Sequence, residues 1–563
     1  MTRSALAGRM AVADLDRYLG DPRDQSAVIS TERSLELDEA SAYPGDAVGA
    51  LNAWGLHRYY TPAEHGGELR DVFVPMMMIR ATAARDLTVA VAHGISFLGA
   101  VSAWVAGGQI AAIMAELVLD GAPLSWGLTE RGRGSDLSAT ATTAAIGSSI
   151  VVDGVKWPVN NATRGRAMTV LARTSDAPGP RALSLVLVDK GRVDTHSLAS
   201  EPKVATYGNR GADISGLSMR GTTVERDRLV GDPGLGLEIV LKSLQFTRPL
   251  STALSLGAAD HAVDVAVEFA ASRRVFGREL GSLPAARATL GTAVADALLA
   301  ECVTFAGARE AHHAPQELAL VSSLVKFLVP DTVDLLFRDL TSFLGARSQL
   351  LGVAGAGEFQ KAARDNRAVG IFDGNSVVNL NMIVNEFTAI TRPADPVDVG
   401  GILRDFHVDA EPQVWVDPLH LRLVTRRGSR LLRALPAFAD LLGSRPSAGP
   451  AQDITAELHR LLEAAGAAPR QAAPSAASFD VAMRLALCFG ASCAIAVELA
   501  GRGSGGAASE GRLLAILERI SVRLGLVRSE SAAASAAELA GQALEAARSG
   551  SRLSMLDGWG VHA

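Results

Sequence analysis

The chain has 563 residues, 48% hydrophobic, 20% charged and 5% aromatic, with a formal net charge of -6. That length exceeds one hydrophobic core and predicts several structural units, and the apolar content excludes a disordered chain. Scattered Lys and Arg on a net-negative chain leave no footprint for nucleic acid, while Cys302, Cys488 and Cys493 form neither a C-x-x-C pair nor an even set, which points to buried thiols in a reducing compartment rather than disulfides or zinc ligands.

The first residues lack a sustained apolar run before acidic residues begin at Asp14, so a cytoplasmic protein is expected. One stretch, Gly94 to Ala115, is uncharged, but Gly107, Gly108 and Gln109 interrupt it; two buried helices meeting at a turn are predicted there rather than an integral membrane segment. Up to residue 120 apolar residues recur at helical spacing, as in Val72 to Arg80 and Ile110 to Leu117, which predicts an N-terminal helical domain over 1–120. From 121 to 235 the runs are short and β-rich: Ile150 to Val152, Thr169 to Arg173, Leu183 to Val188 and Gly216 to Met219. A compact central β domain is expected. Helical periodicity returns within 236–391, with one long helix expected from Leu250 and ending at Ser272 to Gly277. Arg392 to Gly401 reads as a linker, and 400–563 as a further Ala/Leu-rich helical region broken at Gly443 to Pro450 and Gly503 to Gly506. The fold class is α+β.

The chemistry is concentrated in three segments. In Leu128-Thr-Glu-Arg-Gly-Arg-Gly-Ser-Asp136, Gly132, Gly134, Thr129 and Ser135 offer backbone N–H groups and hydroxyls to a phosphate or a polar ring edge; a helix-to-strand turn would also explain them. Arg273-Arg-Val-Phe-Gly277 places a guanidinium and an aromatic ring at a helix end, where the plainer role for Arg273 is to satisfy terminal carbonyls. Arg364-Asp365 is followed at fixed spacing by Ile371-Phe-Asp-Gly-Asn375, whose carboxylate is either a proton acceptor or a turn Asp.

Together and in this order these segments resemble the acyl-CoA dehydrogenase family over about residues 40 to 390. Thr129-Glu130 and Gly134-Ser135-Asp136 match its Thr-Glu-Pro-x-x-Gly-Ser-Asp signature, with Arg131 in place of proline. Asp153-Gly-Val-Lys-Trp-Pro-Val-Asn-Asn161 is similar to its Asn-Gly-x-Lys-x-Trp-Ile-Thr-Asn strand, with Pro158 for Trp and Asn160 for Thr. Arg273-x-x-Phe276-Gly277 matches a family element that reaches across a subunit boundary, and Leu344 to Gln349 stands where the family has Gln-x-x-Gly-Gly-x-Gly, with Arg347 introducing a charge.

The resemblance implies an N-terminal helical domain, a central β-barrel domain and a four-helix bundle, with an added C-terminal helical domain. It implies FAD as cofactor, with Leu128, Thr129 and Asn160 lining the flavin, Gly134 and Ser135 by the phosphates or thioester, and Arg273, Phe276, Arg347 and Asn375 completing the cofactor site, hence a homodimer or homotetramer. It implies Asp373 as catalytic base where many members have Glu, with Gly374 beside it and Arg248 in support; other members carry their base on a different helix, and no Asp or Glu stands near Leu244 to Phe246. Asp is one methylene shorter than Glu, and a displacement of about 1 Å costs on the order of a hundredfold unless the backbone compensates. Relatives that oxidise nitroalkanes use Asp as base. The implied reaction is oxidation of an acyl thioester, on CoA or acyl carrier protein, to the α,β-enoyl thioester, with electrons passing to an electron-transfer flavoprotein or similar acceptor. A flavin oxidase or monooxygenase and a non-catalytic flavoprotein scaffold are the rivals.

The remaining candidates are plain. His312-His313 reads as a solvated pair without metal partners; Gly234-Leu-Gly236 lacks a strand-turn-helix context; and Asn161-Ala-Thr163 is a chance glycosylation sequon.

Overall fold

In the computed structural model the described residues are 3–351, 357–393, 396–410, 418–468, 473–501, 506–556 and 559. Residues 394–395 of the expected linker and most of the glycine-rich break at 503–506 lie outside them.

The N-terminal part is helical: α1 (Arg3–Leu19), α2 (Thr31–Glu39), α3 (Gly45–Trp54), α4 (Phe73–Arg85), α5 (Leu87–Ala106) and α6 (Gly108–Leu119). The Asp86 side chain starts α5 by accepting from Thr88 N at 2.7 Å, and Gly107 and Gly108, both at positive φ, separate α5 from α6 as the glycine pair predicts. Among the described residues three helices rather than one are long and apolar enough to cross a membrane, Leu87–Ala106, Pro284–His313 and Ala476–Ala500; within the chain 78%, 89% and 78% of those windows are buried.

The strands follow: β1 (Leu124–Gly127), β2 (Thr143–Ile146), β3 (Ser149–Asn160), β4 (Ala167–Arg173), β5 (Leu183–Asp189), β6 (Leu198–Glu201), β7 (Ile214–Glu225) and β8 (Leu229–Val230). They form one sheet in the order β6-β7-β3-β2-β4-β5-β8, with β1 added parallel to β4. No ladder joins β6 to β8 among the described residues, so the expected barrel is open along one seam. Strand alternation explains the unbroken apolar runs of β4 and β5. Met168, Val170, Ala172, Val186 and Val188 face a core enclosed by the sheet, while Ala167, Leu171, Leu185 and Leu187 join the core of the helices. These two strands therefore form the wall between the two cores.

Helices resume with α7 (Gly236–Ser272), interrupted by the hairpin β9 (Arg274–Val275) and β10 (Arg278–Glu279), then α8 (Pro284–His313), α9 (Leu318–Leu344), α10 (Gly357–Val369), α11 (Ser376–Asn385) and α12 (Phe387–Ile390). The long helix starts well before the expected Leu250, with Pro249 in its interior. The upstream segment looked irregular because it carries Ser243, Gln245, Thr247 and Arg248, yet all four are buried. The C-terminal helices are α13 (Val399–Asp405), α14 (Arg430–Leu442), α15 (Ala448–Ala467), α16 (Ala476–Ala500), α17 (Ala507–Arg523) and α18 (Ala533–Arg548). The expected linker thus ends in a helix, begun by Asp398 accepting from Gly401 N at 2.8 Å. α16, α17 and α18 pack on α8. At Gly291 of α8 a Cβ would sit 1.6 Å from the Ala536 carbonyl oxygen, so the two backbones touch.

His312 and His313 are not solvated. His312 Nε2 accepts from Val72 N at 3.0 Å, and His313 Nδ1 lies 3.2 Å from Asp405, which also receives Arg430. No group of His, Cys, Asp and Glu suited to a metal occurs among the described residues. All three cysteines are free and buried.

One ionic cluster ties α2, α5, the loop before β7 and α10 together. Lys361 Nζ donates to Asp86 Oδ1 at 2.7 Å and to Asp365 Oδ2 at 2.8 Å; Asp365 Oδ1 accepts from Asn209 N at 2.5 Å; Arg364 Nη2 donates to Asp38 at 2.6 Å. Removing Asp365 leaves Lys361 paired with Asp86 but takes the acceptor from the Asn209 N–H, and a buried donor left unmet costs about 1–3 kcal/mol. Asp365→Ala is expected to lower the unfolding free energy by that order, read as a lower urea midpoint by circular dichroism.

Candidate active site

The turn between α10 and α11 carries Asp373 in a left-handed conformation, φ 56°, followed by Gly374 at φ 98°. A side chain at 374 would crowd the Arg248 guanidinium at 3.3 Å, so glycine is needed both for conformation and for space. Arg248 projects from α7 at 2% exposure; its Nε donates to the Asp373 carbonyl at 3.1 Å, and its Nη1 to Ser323 Oγ of α9 at 3.2 Å. Asn379 Nδ2 donates to the Gly374 carbonyl at 2.7 Å, and Asn375 Oδ1 accepts from Val378 N at 2.9 Å, starting α11. The three residues expected to form the catalytic group, Asp373, Gly374 and Arg248, are therefore in contact. Asn375, expected at the cofactor, commits its side-chain oxygen to the helix start.

The Asp373 residue keeps some surface, but its Oδ2 is buried and has no hydrogen-bond partner. Burial raises its pKa, against the pull of the Lys326 ammonium, of the Thr247 hydroxyl, which faces the carboxylate outside hydrogen-bond geometry, and of the Arg248 guanidinium. Burial likewise lowers Arg248 to about 10 and Lys326 of α9 to about 8, each opposed by Asp373. Lys326 and Ser323 had no sequence signal, since each sits within the apolar run of α9 and reads as part of a packed face, and Thr247 stands among polar neighbours whose burial no local pattern shows.

On the barrel side, Trp157 N donates to the Thr129 carbonyl at 3.0 Å and the Thr129 hydroxyl to the Pro158 carbonyl at 2.7 Å, which joins the Thr-Glu segment to β3. Leu128 is buried. The Arg131 guanidinium lies 4.0 Å from the Trp157 ring centroid and 3.2 Å from Glu201. The two departures from the family signature are thus neighbours: Arg131 replaces proline and covers the ring beside Pro158, which replaces Trp. Glu130 is a brace rather than a ligand. It accepts from Ala141 N at 2.8 Å, Thr142 N at 3.0 Å and Lys156 Nζ at 2.8 Å. Burial opposes its ionisation, but the Lys156 ammonium and these donors outweigh it and hold its pKa down to about 2.

Gly134 and Ser135 lie in an exposed loop, and a Cβ at Gly132 or Gly134 would meet nothing, so this stretch has open space around it. Arg273 is exposed at the end of α7, and Phe276, at the tip of the β9-β10 hairpin, is 95% exposed at φ 52°. Arg347 packs over Phe269 at 5.5 Å. Several buried polar atoms have no partner: Trp126 Nε1, Asn160 Oδ1, Gln245 Oε1, Thr247 Oγ1 and Asp373 Oδ2. Such atoms are costly unless a ligand satisfies them. The C-terminal extension also comes close, since Gln245 Nε2, one turn before Arg248, donates to the Arg422 carbonyl at 2.7 Å. A surface hollow lined by Glu279, Arg287 and Arg548 lies apart and includes none of these residues.

Residues 125–222 match the model of the acyl-CoA dehydrogenase middle domain, and residues 234–387 that of the acyl-CoA dehydrogenase C-terminal domain. Over these two segments the chain matches the acyl-CoA dehydrogenase family. The probable acyl-CoA dehydrogenase fadE25 of Mycobacterium leprae is 25% identical over 348 residues, 61% of this chain and 88% of its own length. Among solved structures, an acyl-CoA dehydrogenase complexed with FAD from Bacillus anthracis has a TM-score of 0.67 at 16% identity and covers 97% of this chain and 95% of its own. The acyl-CoA dehydrogenase fold likeness therefore runs through the C-terminal helices. The prolyl acyl carrier protein oxidase AnaB has a TM-score of 0.61 at 20% identity, covering 68% of this chain and 99% of its own.

Because Glu130 titrates below its unfolded value, it contributes stability above about pH 4.5 that is lost as pH falls toward 2. Glu130→Gln is expected to flatten the stability-pH curve between these limits; an unchanged slope in acid titrations of denaturant midpoints would contradict the brace.

Proposed function

We propose that this protein is an FAD-dependent dehydrogenase of acyl thioesters, and that Asp373 is its base. The observation that carries the reading is the buried, unpartnered Asp373 Oδ2, on a turn held by Arg248 through its carbonyl rather than through its carboxylate. A base must be both fixed and free to accept a proton. Arg248 fixes the turn and leaves the carboxylate uncommitted.

The residues present fit the cofactor. Leu128, Thr129 and Asn160 supply a lining with an unmatched amide oxygen, Gly134 and Ser135 an open loop for phosphates, and Arg273 with Phe276 an exposed fork and ring that no described residue covers. That projecting hairpin supports a homodimer or homotetramer in which it serves a second copy. FAD, when bound, accepts the β-hydrogen of the substrate as hydride.

The chain does the rest. The main-chain N–H of Asp373 polarises the thioester carbonyl as enolate charge grows, and the Asp373 carboxylate takes the α-proton as the Cα–H bond breaks. Loss of the β-hydrogen with its electron pair leaves the α,β-enoyl thioester. The raised pKa makes the carboxylate a stronger acceptor, and activity falls as pH drops through it because the protonated form cannot act. The carrier is CoA or acyl carrier protein, the acceptor an electron-transfer flavoprotein or similar protein, and the setting cytoplasmic.

In anaerobic mixing with a panel of short-, medium- and long-chain acyl-CoA thioesters, the purified protein is expected to hold FAD and to bleach with at least one. Asp373→Asn should keep the yellow cofactor and lose bleaching by at least a hundredfold, a size set by comparison with roughly 10²–10⁴ for general-base groups. Undiminished bleaching in that variant would place the base elsewhere. Rapid reoxidation by oxygen would instead favour the oxidase reading. Arg273→Ala is expected to purify with depleted FAD while remaining folded, checked by the ratio of flavin to protein absorbance.

A further inference from the structure

Two buried cations bracket the turn that carries Asp373, and each spends itself on main chain. Arg248 from α7 holds the Asp373 carbonyl at 3.1 Å. Lys326 from α9, 2% exposed, donates to the Val369 carbonyl at the end of α10 and stands 4.9 Å from the centroid of the Phe372 ring. Ser323, one turn before Lys326 on the same face, receives Arg248 Nη1. The turn is thus gripped at residues 369 and 373 by charges that the interior would normally match with a carboxylate. Among the described residues, neither cation forms a salt bridge with Asp373.

The groups facing Asp373 are Thr247 and Arg248 from α7 and Lys326 from α9; from α11, Asn379 and Met382 reach the same cluster without charge. Among the described residues no second acid faces it. An ion-paired carboxylate would be a weak and blocked base, and one buried without nearby cations would stay protonated. A cation kept back from the carboxylate avoids both.

We propose that Lys326 is a positioning residue for the proton-abstracting carboxylate: its ammonium holds the Val369 carbonyl and the Phe372 face, fixes the turn, and keeps Asp373 charged without joining it in an ion pair. This rests on Asp373 being the base. It adds a residue of α9 that makes its effect felt only through Asp373.

The test compares Lys326→Met and Lys326→Arg with the wild-type holoenzyme, using the acyl-CoA thioester that bleaches wild type fastest. Flavin bleaching is followed across pH, with FAD content and melting temperature as controls. A second readout needs no turnover: the Asp373 carboxylate is titrated in FAD-free protein by infrared difference against Asp373→Asn. Lys326→Met is expected to keep FAD and to move the acid limb up by about one pH unit, roughly tenfold in rate below that limb, with the infrared titration moving the same way; Lys326→Arg restores the limb. If the methionine variant does not fold, Lys326→Gln is read identically. An unmoved limb and titration, or an equal loss at every pH in both the methionine and arginine variants, overturns the assignment. If Asp373→Asn is inactive while the Lys326 variants show no shift, only this inference falls. If Asp373→Asn still bleaches, the base assignment fails and takes this inference with it.

Discussion

The buried carboxylate of Asp365 is the constraint on which the site depends. It accepts from Lys361 of its own helix, from Thr88 at the start of α5 and from Asn209 in the loop before β7, so one side chain joins the N-terminal helices, the sheet and the bundle. At Gly208 the approach is close enough that a Cβ would lie 2.2 Å from the Arg364 carbonyl oxygen. Buried ion pairs add little net stability compared with apolar packing, but they tolerate few alternative geometries. α10 is clamped in this way at its middle and then by Lys326 at its end, and the Asp373 turn follows directly. Orientation between the three structural layers is thereby passed to the position of one carboxylate.

Around that turn the polar groups divide into two sets. Glu130, Asn375 and Arg248 are committed to backbone partners and serve to hold the scaffold. Asn160, Gln245, Thr247, Asn379 and Asp373 each keep a buried atom without a partner among the described residues, although Gln245 and Asn379 also donate to backbone carbonyls. An unmet buried donor or acceptor costs roughly 1–3 kcal/mol, which a fold tolerates where a ligand repays it. The division separates residues that build the site from those offered to a substrate or cofactor.

Much of this was legible in the sequence. Helical spacing marked α4 and α6, short β-branched runs marked β3, β4, β5 and β7, and the fixed interval from Arg364-Asp365 to Asp373-Gly374 located the turn. What escaped notice has physical causes. The first part of α7 was hidden by Pro249 and by polar residues whose burial depends on tertiary packing. His312-His313 looked solvated because its partners Val72 and Asp405 are remote in sequence. Lys326 is a single charge in the apolar run Leu324-Val-Lys-Phe-Leu-Val329; its meaning lies in a carbonyl more than forty residues away, which no local pattern carries. Strands β1, β2, β6 and β8 are too short for alternation to declare itself.

The contact at Gly291 bears on how the C-terminal helices are held against the bundle. Helices that meet through side chains can drift apart by small substitutions, each absorbed by its neighbours. Helices that meet backbone to backbone cannot, because no rotamer remains to adjust. Position 291 therefore admits no side chain without forcing α18 off the bundle helix on which it rests, so the seating of the C-terminal helices depends on a single missing methyl group.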